Sequence, residues 1–219
     1  PAPIDPASRA RSMRTVILTQ LFGVLGMQSF QNGLLLLYMA VLGISPVRII
    51  IYLALPNGIS MLLRLPVAYL SDRFGKKRVG TLGVILTTLG FALLPLAGFC
   101  ERPGAEQLVA AGIVVLAVGK MFFAASWHGL VGAIVPEAIR GRFFGKQRLA
   151  FQTAGILFAG ICSWLLAKDS PVSLFQIILA FLVFAFCLRL FFYRRVPELD
   201  APRPQQPGFW RALGRILRA

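Results

Sequence analysis

Apolar residues run through this chain in six long blocks separated by short polar joints, at about residues 15–43, 47–70, 79–99, 107–135, 143–167 and 172–193. A helix rises about 1.5 Å per residue, so roughly 20 apolar residues cross the hydrocarbon core of a bilayer, and every block reaches that length. None shows the period-2 alternation of a barrel strand. In hydrocarbon each backbone N–H and C=O must be satisfied within its own segment, so each block predicts a membrane-spanning helix. Gly23, Gly26, Pro56, Gly58, Pro66 and Pro95 fall inside the blocks. Such residues are common in membrane helices, where neighbours re-satisfy the freed backbone groups. The expected fold is all-α, a membrane bundle of six transmembrane helices.

Composition agrees: 57% of residues are hydrophobic, 14% are charged and the mean hydropathy is +0.75. A water-facing domain does not carry that balance. The net charge of +15 raises a nucleic-acid partner, and the placement of the bases decides against it. Arg9, Arg11 and Arg14 precede the first block; Arg73, Lys76, Lys77 and Arg78 lie in the second joint; Arg140, Arg142, Lys146 and Arg148 lie in or near the fourth. With six more in the tail after residue 193, seventeen of the 23 bases fall on one side, against Arg48, Arg102 and Lys168 on the other. This is a positive-inside pattern, with both termini cytoplasmic and the basic side facing anionic lipid. No nucleic-acid partner is expected, because no basic domain stands outside the membrane.

The bases before the first block resemble the basic region of a signal peptide. The block is too long for a signal core and lacks a small-residue cleavage site, so it reads as a retained helix. Cys100, Cys162 and Cys187 show neither metal-ligand spacing nor a disulfide framework and read as packing residues. No metal and no cofactor is expected. The division that follows is a cytoplasmic segment 1–14, a bundle 15–193 and a linker 194–219. In that linker Trp210, Leu213, Ile216 and Leu217 oppose Arg211, Arg215 and Arg218, the pattern of a surface helix on the inner membrane face.

The second joint reads YLSDRFGKKRVG over residues 69–80. Asp72 closes a helix with an acid beside that helix's own carbonyl ends, which is unfavourable, so it calls for a cationic or N–H partner. Gly75 permits a left-handed turn. In this joint the sequence resembles the major facilitator superfamily of secondary transporters, whose signature there is G-x-L-a-D-r-x-G-r-k-x. Leu70, Ser71, Asp72, Arg73, Phe74, Gly75, Lys76, Lys77 and Arg78 fit it, and Ala68 stands where the leading glycine belongs. The fourth joint carries Arg140, Gly141 and Gly145 in an R-G-x-x-x-G run that is also frequent in the family.

The resemblance implies a major-facilitator N-terminal bundle, which a second six-helix half completes. It implies that Asp72, Arg73, Gly75 and Lys76 form a conformational latch between halves, made in the outward-open state and broken on inward opening. It also implies a bacterial inner membrane as the location, with the first and fourth helices lining a central cavity and the third and sixth supporting from outside.

Polar residues deep in hydrocarbon are costly and face the bundle interior or a wet cavity. Gln28 and Asn32 form an i, i+4 pair near the middle of the first block, Asn57 lies within the second, and Lys120 is about 20 Å from either end of the fourth by helical rise. Phe123 and Trp127 share the Lys120 stripe. Gln28, Asn32, Asn57, Lys120 and Trp127 are therefore the candidate substrate cavity, with packing as the competing role for Trp127. Lys120 stands near the buried arginine of the family's fourth helix. Arg64 is close enough to the boundary to snorkel, Arg189 reads as structural, and His128 reads as a packing histidine.

No acid lies inside any block. Either coupling resides in the other half, or the substrate is anionic and pairs with Lys120 and Arg64. The fifth block lacks the G-P pair associated with the family's drug antiporters. An intramembrane enzyme is disfavoured because G-x-S-x-G, paired membrane carboxylates and HExxH are all missing. The expected function is movement of a small-molecule substrate by alternating access, with the chain as the N-terminal half and the second half covalent or separate. The alternatives are a half-length transporter that dimerises and a six-helix membrane scaffold.

Overall fold

The computed structural model describes residues 6–31, 33–166 and 170–198. Asn32, Lys168 and the amphipathic stretch of the tail lie outside the described residues. Seven helices form: α1 (Pro6–Gln31), α2 (Leu34–Val41), α3 (Pro46–Phe74), α4 (Lys76–Ala97), α5 (Gly104–Ile134), α6 (Glu137–Leu165) and α7 (Val172–Arg194). No strand occurs among the described residues.

Five of these helices, α3 to α7, are long and apolar enough to cross a membrane, and the pair α1 and α2 makes a sixth span if counted together. The pair is bent by 55°. The first apolar block is thus a broken helix rather than the continuous one its hydropathy predicts. Gly33, at φ 76, sits at the break in a left-handed conformation open to glycine.

The joints follow from local chemistry. Pro46 opens α3 at a position that needs no N–H, after an extended Ser45. A single residue, Gly75 at φ 100, separates α3 from α4, and beyond this joint both helices pack chiefly on α5. The carbonyls at the far end of α4 are taken up by side chains: the Tyr38 hydroxyl donates to Leu94 O at 2.8 Å and the Gln176 amide to Pro95 O at 2.9 Å. At the other end of α4, the Lys77 N–H donates to the Glu198 carboxylate at 3.2 Å, an anion against a helix N-terminus.

Glycine decides which helices touch most closely. A methyl added at Gly83 or Gly90 of α4 would strike the backbone of Phe123 or Leu116 of α5, and one at Gly119 of α5 would strike Thr87 of α4. Gly112 abuts the Gly90 carbonyl in return. Each helix carries its pair seven residues apart, two turns, so the two backbones meet along one glycine face. The pattern of burial follows. About 44% of the apolar window is buried in α4 and in α5 and 39% in α7, against 11% in α3 and 17% in α6. Among the described residues α3 and α6 therefore leave the most apolar surface uncovered. The third and sixth spans, α4 and α7, each bury one full face against the rest of the chain.

Candidate functional site

A cavity of about 560 Å³ opens between α1 and α3 to α7, within the range of ligand sites. From α1 come Gln20, Met27 and Gln31, at steps of seven and four that keep one helical face. From α3 come Leu53, Pro56 and Asn57; from α5, Lys120, Phe123, Trp127 and His128; and from α7, Phe186 and Arg189.

Of the expected cavity residues, Asn57, Lys120 and Trp127 line it. Asn57 is exposed at its edge, Lys120 is half-buried and Trp127 is buried. Gln28 is not on its wall. Its amide packs against α6 where Gly155 has no side chain, because Gln28 lies about 100° round α1 from Met27. Asn32 lies outside the described residues. Arg64 is exposed on α3 and does not line the cavity.

Gln20, Gln31, Phe186 and Arg189 are cavity residues that local reading passes over. Arg189 is the most unusual. It is 7% exposed, its guanidinium carbon lies 3.9 Å from the centre of the Phe123 ring and 5.4 Å from that of Phe186, and its Nε has no hydrogen-bond partner. It occupies space that Gly23 of α1 leaves open. Phe123 stacks in turn on Trp127, centroids 5.0 Å apart, and packs at 5.6 Å from Tyr193. The sequence signal is periodicity: Leu182, Phe186, Arg189 and Tyr193 share the buried face of α7.

The four expected latch residues lie at the α3–α4 joint, and none lines the cavity. Asp72 and Arg73 are exposed, and Asp72 makes no ion pair among the described residues. The Lys76 stem lies on Gly129 of α5. Just behind, Ser71 and Ser126 share a hydroxyl hydrogen bond at 3.2 Å, joining α3 to α5. At the opposite end of the same helix pair, Arg48 Nη1 donates to both oxygens of Glu106, at 2.8 and 2.7 Å, and the Tyr52 hydroxyl donates to Oε1 at 2.8 Å.

No acid lines the cavity. Among the described residues no group of three or more His, Cys, Asp and Glu is placed to hold a metal. The site is built to bind and enclose: two cations, amide groups and aromatic rings around a space open to a small molecule.

A family model described as Major Facilitator Superfamily matches residues 16–218. No curated protein matches the chain.

Proposed function

The chain belongs to the major facilitator superfamily of membrane transporters, and from that premise we propose that it moves a small solute by alternating access through the cavity between α1 and α3 to α7. Members of the family are multi-pass proteins of the lipid bilayer that carry small molecules, and they are transporters rather than enzymes. The observation that carries the proposal is the cavity itself. Its wall draws residues from six separate helices, so a rigid-body tilt of any part of the bundle changes access to it. Asn57, Lys120 and Trp127 serve in it as solute contacts, and no catalytic role is assigned to the protein.

The proposal includes a second six-helix half, on the same chain or a separate one, seated where α3 and α6 leave Met61, Leu62 and Trp164 at 84, 77 and 81% exposure. In it, residues 1–14 and 194–219 are cytoplasmic and 15–193 form the bundle, as the seventeen bases on one side support. Asp72, Arg73, Gly75 and Lys76 act as the latch toward that second half, and a bacterial inner membrane is the proposed location.

The test is sided chemical access. With Cys100, Cys162 and Cys187 replaced by Ser, Asn57→Cys and His128→Cys are each treated with an impermeant maleimide in intact cells and in inverted vesicles. Labelling of the same positions from both faces is the expected result. Labelling from one face under every condition would overturn alternating access.

A further inference from the structure

The cavity contains two cations and no counter-charge. Lys120 projects from α5 and Arg189 from α7, no acid lines the space, and neither base forms an ion pair among the described residues. A guanidinium that is 7% exposed inside the helix bundle is expensive without an anion. Its stack on Phe123 offsets only part of that cost and leaves Nε unbonded. Around these charges the wall is aromatic, with Phe30, Phe91, Phe123, Trp127, Phe151 and Phe186 all on it. An inorganic anion would lose hydration against those rings, and a cation would meet two like charges.

We propose that the transported solute is an organic anion with an apolar, partly aromatic body, its acidic head held between Lys120 and Arg189 and its body against the aromatic wall. The planar guanidinium, already fixed by Phe123 and the gap at Gly23, offers paired N–H donors to a carboxylate. Arg189 is thus a specificity-determining residue on the sixth span. This rests on the reading of the cavity as the transport site.

The test measures binding to the full chain in nanodiscs by calorimetry, using phenylacetate, its neutral counterpart phenylacetamide, the cation phenethylamine and inorganic phosphate. Phenylacetate is expected to bind at least about tenfold more tightly than the other three. Arg189→Gln and Lys120→Gln are each expected to collapse the phenylacetate to phenylacetamide ratio toward one, and Arg189→Lys to restore part of it. A purely structural role for Arg189 would weaken both ligands equally and leave the ratio unchanged, which would overturn the assignment. If Arg189→Gln does not fold, Lys120→Gln at its half-buried position decides. Equal binding of acid and amide by the unaltered chain, or a preference for phenethylamine or phosphate, would overturn the substrate class. Sided labelling without anion preference sinks this inference alone; anion preference with one-sided labelling sinks alternating access alone.

Discussion

Tyr38 donates its hydroxyl to the Leu94 carbonyl from a fully buried ring. That carbonyl belongs to the last turn of α4 and to a fully buried residue, so Tyr38→Phe leaves a buried acceptor unpaired. The expected cost is about 0.5–1.5 kcal/mol, seen as a lower thermal midpoint of the purified protein. The exposed end of the bundle behaves differently. Arg48 pairs with Glu106 at 60% side-chain exposure, so Arg48→Ala is expected to leave the thermal midpoint nearly unchanged. A larger loss in the same assay would mean that the Arg48, Tyr52 and Glu106 group holds α3 against α5 as a unit. At this scale Lys120, Asn57 and Trp127 were legible from depth and residue type alone. Gln28 and Arg189 were not, because a polar residue's depth follows from its place in the block, whereas its direction depends on which neighbour leaves room. Gly155 drew Gln28 away from the cavity, and Gly23 with Phe123 admitted Arg189.

Among the elements, the α4–α5 crossing is the most constrained. Gly83, Gly90, Gly112 and Gly119 meet opposing backbone, which does not move aside as a flexible side chain does. Gly119→Leu or Gly90→Leu is therefore expected to cost at least about 2 kcal/mol by overpacking and to abolish a monodisperse peak in size-exclusion chromatography. Gly132→Ala and Gly160→Ala, where an added methyl meets nothing within 4 Å, are the contrast and should leave the peak unchanged. Equal damage from both sets would show that glycine acts here through helix flexibility rather than close approach. The six apolar blocks were readable because a span's length and hydropathy are local properties. The break between α1 and α2 was not: a glycine in an apolar run is compatible with either a straight or a bent helix, and packing selects between them. The burial of α7 on one face, likewise, appears only once α1 and α4 lie beside it.

For the whole molecule, the proposed topology puts the carboxyl end in the cytoplasm, so a fluorescent protein fused after Ala219 should fluoresce and a periplasmic phosphatase fused there should be inactive. The reverse pattern would invert the topology. Asp72 is exposed and without an ion pair among the described residues, so the proposed latch calls for a partner outside them. Asp72→Asn is accordingly expected to change the thermal midpoint of this bundle little, within about 0.5 kcal/mol, while shifting maleimide access at Asn57→Cys and His128→Cys toward the cytoplasmic face. A large loss of stability without a shift in access would make Asp72 a structural residue of the α3–α4 joint. The sequence by itself determined the all-α spanning architecture, the one-sided distribution of charge and the superfamily signature at the second joint, since each depends on a contiguous stretch and its solvent. Only the tertiary structure decided where the first span breaks, which glycines meet backbone, and that Arg189 rather than Arg64 or Gln28 stands in the cavity with Lys120. Those outcomes turn on the space left between helices distant in sequence, and a buried charge is placed by what surrounds it.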